Sequence, residues 1–402
     1  MSSEQTTQGA PDWLKLPVKL QHQFFEHAAI EAQRTKRLLL EQRRKLEQIR
    51  KLLTFKPIPV DESWKDWRIA VVDGSESPVL SERIGGRFGT YSAGYHIFQG
   101  LELVEEEYFS GYMTDPQVGN REASQKVLEL LTTELEREAA LQCLKKDVNL
   151  VIIDGPFFGF RARCRIIASK DIAVPSPRKG SDLVKHLVKT SQELLDSGKA
   201  VGIVKRIETA AIDGWTILKS GNANLALSRN DKDILSSLMR EGEWFSYEEH
   251  FGSHDAFNYL SRLAWAFGRF YTTERGRSLE SIYEACKGDA ERNIRRDLGC
   301  EPDQILRTTR HFARCSYPAP PFAIEAHPKM NIEPVTAFCQ SSCNPATGLP
   351  LPLDLMDQDV GIPRGFTQEF VEEIEATLAK DSDLDKFELE TRFSSLNPQK
   401  QE

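Results

Sequence analysis

No run of apolar residues in this chain approaches the 18 or so that a bilayer-crossing helix needs, and the N-terminus has no signal-peptide core. A protein without a membrane span, working in the cytoplasm, is therefore expected. Cysteine is sparse and odd in number, 7 in 402 residues without regular spacing, which argues against a disulfide framework. Cys143 and Cys164 sit in apolar surroundings and read as reduced core thiols. Cys339 and Cys343, with Cys315 and His327 upstream, offer half of a zinc site, but no second close pair completes it. There is no Gly-x-x-x-x-Gly-Lys-Ser/Thr, so the chain should not hydrolyse ATP itself. Gly-x-Ser-x-Gly and His-Glu-x-x-His are missing too. The glycines of Ile84-Gly85-Gly86-Arg87-Phe88-Gly89 follow a turn and do not open a helix, which argues against a dinucleotide site. A basic surplus is also lacking. The net charge of −8 excludes a uniformly basic coat, though local basic patches remain open.

What is present centres on Arg68-Ile69-Ala70-Val71-Val72-Asp73-Gly74-Ser75, an apolar run that ends in an acid, a glycine and a hydroxyl. Roughly eighty residues later the pattern returns as Leu150-Val151-Ile152-Ile153-Asp154-Gly155-Pro156. Each reads as a buried strand that delivers a carboxylate at its C-terminal end. A parallel sheet gathers such ends along one edge, where two aspartates can hold a divalent metal. A third strand, Ala200 to Arg206, is tipped by Lys205.

The chain between these strands orders itself around them. Residues 1–12 are polar. Val18 to Leu53 is nearly free of Gly and Pro and reads as one long helix, or two in succession, with an apolar stripe and a basic face. Pro57 and Pro59 end it. Tyr91–Phe98 and Leu101–Val104 read as antiparallel strands, followed by the acidic Glu105, Glu106 and Glu107. Helices are expected over Gln117–Lys145 and Ser181–Ser197, and a helical, charged stretch over Asn230–Gly299. Phe322–Glu325 reads as a late strand and Pro334–Pro352 as a loop. Phe366–Ala379 reads as a last helix, with Thr367 as a possible cap, and the final twenty residues or so as disordered. The order β, β-hairpin, α, β, α, β describes an α/β core with a mixed sheet.

Asp73 and Asp154 are the principal candidates for chemistry. A third acid can come from the intervening helix, which carries Glu134, Glu136 and Glu138. On a helical wheel Val127, Leu128, Leu131, Leu135 and Ala139 mark the buried stripe. Glu134 and Glu138 fall at its edge and Glu136 nearly opposite, which favours Glu138 as the metal-binding partner of the two aspartates. Lys205 would contact a phosphate or a leaving group. Asp233 reads as an acid at a helix N-terminus, and His327 as a possible acid or base.

Together, Val72-Asp73-Gly74-Ser75, a helical glutamate, Ile153-Asp154-Gly155-Pro156, Val204-Lys205-Arg206 and the helix near Asp233 resemble the NurA nucleases over residues 66–380. The resemblance implies an RNase H-like mixed sheet flanked by helices, divided as an N-terminal helical dimerisation or docking segment (1–56), a nuclease domain (57–380) and a polar tail (381–402). It implies a Mn²⁺- or Mg²⁺-dependent deoxyribonuclease, 5′ to 3′ on ends and endonucleolytic on single strands. It further implies a homodimer that works with a HerA-type hexameric ATP-driven translocase in DNA-end processing or phage defence. The family's spacing leans as much to Glu136 as to Glu138. One departure stands out: after Gly348-Leu349-Pro350-Leu351-Pro352-Leu353, Asp357 occupies the place where the family has a histidine. Either Asp357 replaces that ligand, His327 supplies the imidazole, or the chain is a catalytically weakened partner that caps or regulates a translocase.

Overall fold

Helix-forming residues without a break produce the first element. In the computed structural model, which describes residues 12–116, 120–221, 223–253, 256–270 and 278–396, α1 (Val18–Leu52) is a single helix of 35 residues. At the usual rise per residue it is about 52 Å long. Its contacts set it apart: the chain divides into Met1–Leu53 and Thr54–Glu402. Phe24, Phe25, Ile30, Leu38, Leu39 and Leu40 of α1 are exposed, and Trp13 packs edge-to-face on Phe25 at 5.5 Å.

The second unit is built on a mixed sheet. It starts with β1 (Lys56–Pro57), β2 (Arg68–Glu76), β3 (Ser81–Arg83), β4 (Gly86–Gln99) and β5 (Glu102–Asp115). Helix α2 (Arg121–Leu144) leads to β6 (Leu150–Asp154), α3 (Arg161–Ile167), the small ribbon β7 (Asp171–Ile172) and β8 (Arg178–Lys179), α4 (Gly180–Asp196) and β9 (Ala200–Val204). Then come α5 (Ala211–Ser220), α6 (Asp231–Leu238), β10 (Glu243–Ser246), α7 (Tyr247–Phe251), α8 (Ala256–Phe270), α9 (Leu279–Leu298) and α10 (Pro302–Ile305). Strands β11 (Thr309–Arg314) and β12 (Phe322–Ala326) precede α11 (Glu333–Ser341), α12 (Leu351–Val360), α13 (Phe366–Leu378) and α14 (Lys386–Phe393).

The strand order is β1-β10-β11-β12-β9-β6-β2-β4-β3, with β5 also paired to β4. The central strands β2, β6 and β9 are parallel, joined by crossovers that contain α2 and α4. Their apolar runs are buried on both faces, and the alternation assigns each residue to a layer. Ala70, Val72, Val151 and Ile153 pack with Ala139, Ala140 and Cys143 of α2 and with Leu194 and Leu195 of α4. Ile69, Val71, Ile152, Val201 and Ile203 pack with Val335 and Phe338 of α11 and with Leu353 and Met356 of α12. The mixed α/β class expected from sequence is what the chain adopts.

Several local expectations differ. Strand β5 does not stop at Val104 but runs on through Glu105, Glu106 and Glu107 to Asp115. It lies along β4 with most side chains exposed, where charge is tolerated and discourages edge pairing. The helical stretch after Asn230 is interrupted by β10, and the stretch expected as a Pro/Cys loop contains α11, whose Pro334 lies in the first helical turn, where no N–H is needed. Thr367 does not cap α13: Gly365 is the N-cap residue, and the Thr367 hydroxyl meets that of Thr90 at 2.8 Å. Within the stretch expected as a disordered tail, α14 buries Leu389 and Phe393 against Phe88 and Val371. Two of its three apolar residues were enough to dock it, while Phe387 stays exposed. Residues 1–11 and 397–402 lie outside the described residues. Among the described residues no helix is long and apolar enough to cross a membrane.

Candidate active site

Register brings the first two acids together. Val72 of β2 sits opposite Ile153 of β6, so Asp73 and Asp154 are next in line on neighbouring parallel strands. The alternation that puts Ile69, Val71 and Ile152 on the α12 side puts both carboxylates there as well. Lys205, two residues beyond Ile203 and just past the end of β9, continues that face. Helix α12, packed across β2 and β4, adds Asp357. One carboxylate oxygen from each of Asp73, Asp154 and Asp357 lies within 4.8 Å of the other two. The Lys205 Nζ stands 2.9 Å from Asp154 and 3.5 Å from Asp357.

Asp73 is 3 % exposed. Its Oδ1 accepts from the Gly74 amide at 2.7 Å, while its Oδ2 is buried with no hydrogen-bond partner. Burial above all, then the negative charges of Asp154 and Glu136, hold its pKa well above the usual carboxylate range, against the pull of Lys205. Burial also raises Asp154, with Lys205 opposing.

Glu136 approaches from the other face of the sheet. A Cβ on Gly74 would stand 3.0 Å from the Thr132 methyl and 3.5 Å from the Glu136 Cβ, so the glycine lets α2 come close at the strand end. Glu136 is buried, and burial pushes it up to about 7, although Arg137 beside it favours the charged form. The Arg137 Nη1 donates to Glu136 at 2.6 Å and its Nη2 donates to the Pro156 carbonyl at 3.0 Å. The turn after Asp154 is thus clamped from α2. It is also clamped from β12: the Phe157 amide donates to Glu325 at 3.1 Å, and Glu325, itself buried, pairs with the buried Arg310. Gly155 takes φ +91° in this turn, a conformation that favours glycine.

The helical wheel misplaced the glutamates. Helix α2 packs against β2, β4 and β6 with one side and against α3 and α4 with another. It therefore has a second buried row, Leu128, Thr132, Glu136, Ala139, Ala140 and Cys143, whose polar members an apolar stripe does not reveal. Glu138, expected as the metal-binding glutamate, points elsewhere: it lies 3.2 Å from His186 of α4. Glu134 is held by both nitrogens of Arg178 at 2.6 and 2.5 Å. Glu134, Glu138 and His186 form a separate grouping.

His327 is also away from the carboxylates. Strand β12 runs antiparallel to β9, with Ala326 opposite Val201 and Ala323 opposite Val204, so His327 lies at the sheet edge remote from Lys205. Its Nδ1 accepts from the Lys329 amide. Asp233 pairs with Arg229 in the first turn of α6, whose N-cap is Asn230. Among the described residues Cys315, Cys339, Cys343 and His327 do not gather into a metal-binding group. Cys143 and Cys164 are free, buried thiols. Sequence reasoning missed Arg137 and Glu325. Arg137 directly follows a candidate acid, and Glu325 ends an apolar run, so each carried a weak version of the same signal.

Adjacent parallel strands and a covering helix that converge carboxylates on one edge define an α/β protein with an oxygen-lined cluster at the strand ends. The fold is that of a NurA nuclease. It matches the NurA nuclease from Sulfolobus solfataricus with a TM-score of 0.56 at 14% identity, over 92% of this chain and 99% of that one. A second NurA structure matches with a TM-score of 0.49 at 13% identity, over 88% of this chain and 97% of that one. A NurA bound to dAMP and manganese matches with a TM-score of 0.45 at 14% identity, over 94% and 100%. No protein-family model matches the sequence, and no curated protein matches it.

Proposed function

We propose that this chain is a divalent-metal-dependent deoxyribonuclease whose reaction takes place at Asp73, Asp154 and Asp357. The observation that carries the reading is the convergence of three carboxylate oxygens within 4.8 Å at the ends of adjacent parallel strands, in a fold shared with a nuclease. The residues fit a hard cation. All the donors are oxygens, as Mg²⁺ or Mn²⁺ prefers, and the buried Oδ2 of Asp73 has a lone pair to offer. When bound, such an ion supplies activation of water and stabilisation of charge on the phosphate.

The chain's own groups divide the remaining work. Asp73, Asp154 and Asp357 bind the ion. Lys205 neutralises a phosphate oxygen from beside Asp154. Glu136 titrates near 7, and so holds or releases a proton in the neutral range next to Asp73. Arg137 and Glu325 are positioning residues that fix the turn carrying Asp154. Asp357 supplies the oxygen ligand where the resemblance led one to expect a histidine, which speaks against a catalytically weakened partner.

The finer reading follows the resemblance: 5′ to 3′ digestion of ends, endonuclease activity on single strands, a homodimer, and docking on a HerA-type hexameric ATPase in end processing or phage defence. The exposed apolar side chains of α1 support residues 1–56 as the dimer or docking element. The test is cleavage of end-labelled linear DNA with Mn²⁺ or Mg²⁺, alone and with the translocase, beside RNA and hybrid substrates. Metal-dependent DNA products that vanish in Asp73→Asn and Asp154→Asn support the reading. A protein inert on DNA under every condition, or one that cuts only RNA or hybrids, overturns it.

A further inference from the structure

We infer that the cavity between α5, α8 and the segment 226–230 receives an unpaired nucleobase of the DNA strand whose phosphate lies at the carboxylate edge. This inference rests on the nuclease reading and adds a substrate subsite to it. The cavity measures about 490 Å³ and is lined by Glu208, Ala210, Ile217, Arg229, Ala264 and Trp265, among others. That volume lies within the range of sites for small ligands. Trp265 is the unusual member. On the same helix Tyr259, Leu260 and Leu263 are buried, whereas the Trp265 indole is 62% exposed at the cavity wall. An exposed indole beside an aliphatic floor offers the planar apolar surface on which a base stacks.

The charges select a base over a phosphate. Asp213 also lines the cavity, but its carboxylate accepts the amides of Leu227 and Ser228 at 2.9 and 2.7 Å. Arg229 is paired through two nitrogens with Asp233. With Glu208 added, the lining carries no positive surplus to attract a phosphate, while its polar atoms can meet the edges of a neutral base. Position completes the argument. Glu208 follows Lys205 by three residues, so their Cα atoms are at most about 11 Å apart. Lys232, two residues after the lining residue Asn230, donates to the Lys205 carbonyl at 2.6 Å and holds the start of α6 to the same edge. A strand with one phosphate at Lys205 therefore lies within that span of Glu208, which lines the same cavity as Trp265.

The experiment uses the full chain with Ca²⁺ in place of Mn²⁺ and measures the anisotropy of a labelled 12-mer of deoxythymidylate. The same oligomer with one abasic residue, moved position by position, maps where a base is needed. Stacking predicts about tenfold weaker binding for Trp265→Ala and for one abasic position, with no further loss when the two are combined. Ala264→Leu, which fills the cavity while keeping Trp265, should weaken binding as well. If Trp265→Ala binds like the unaltered protein, or the abasic penalty persists unchanged in it, the base site is wrong while the nuclease reading stands. If the unaltered protein neither binds nor cuts DNA, both fall.

Discussion

Helix α2 carries acids to two places, and the two differ in how their charge is met. On one side Glu134 and Glu138 lie among Arg178 and His186, with Glu134 gripped by a guanidinium and Glu138 half exposed. On the other, Glu136 is buried close to Asp73 and Asp154 with Arg137 beside it, while Lys205 faces Asp154 and Asp357. The first group is met by its protein neighbours. In the second, burial raises the pKa of Asp73, Asp154 and Glu136, and one Asp73 oxygen is buried with no hydrogen-bond partner. The number of acids does not distinguish the two groups. Uncompensated burial does, and it is the reason the proposed metal site is placed at the second group.

The contrast can be broken most severely at its centre. Asp73→Asn or Asp154→Asn should lower metal-dependent cleavage by at least ~100-fold, because the charge that holds the ion is lost. Glu138→Gln should leave the rate within about twofold. Equal losses for Asp73→Asn and Glu138→Gln in initial-rate assays would erase the distinction.

Next in size is the clamp behind the site. Glu325→Ala leaves Arg310 buried without its partner and should cost about 3–5 kcal/mol of stability, read by urea denaturation. Glu138→Ala should cost less than about 1 kcal/mol, as for an exposed pair.

The pH dependence separates the two groups further. Glu136 is raised in the fold from 4.5 to about 7, so the folded state holds its proton more tightly than the unfolded state does. Its contribution is present below pH 4.5 and is lost as pH rises through 7. Metal-free protein should therefore lose stability over that window, and Glu136→Gln should flatten the fall by roughly 3 kcal/mol. A denaturation series whose slope is unchanged by Glu136→Gln would refute the assignment. The smallest expected effect belongs to metal affinity. Binding requires ionised carboxylates, so Mn²⁺ affinity by calorimetry should rise several-fold from pH 6 to 8, and Glu138→Gln should not alter that rise.

Much of the carboxylate pair was legible because strand periodicity is local. Asp73 and Asp154 each follow an apolar run with a glycine behind, and that pattern gives both the strand and the position of its tip. Lys205 was legible in the same way. The helical acid was not, since a wheel drawn from apolar residues assumes one buried side, and α2 has two. Polar Thr132 and Glu136 on the second side look like solvent-facing positions until the sheet is placed against them. Asp357 stood out only as a departure from a resemblance, and nothing in residues 348–357 says that their helix crosses β2. The α14 segment was lost among charges because three apolar residues in eight, only two of them on the docked side, are too few to signal docking.

By itself, the sequence determined the runs that must be buried, the acids at their ends, the helical character of the N-terminal segment and the mixed α/β class, since each depends on neighbours a few residues apart. The tertiary structure alone decided which acids meet. The parallel register of β2 with β6 aligned Asp73 with Asp154, and the packing of α12 brought Asp357 to them. The second buried side of α2 chose Glu136 over Glu138. Those are relations between segments far apart in the chain, and they are fixed by strand register and by the burial of whole faces, which no local pattern encodes.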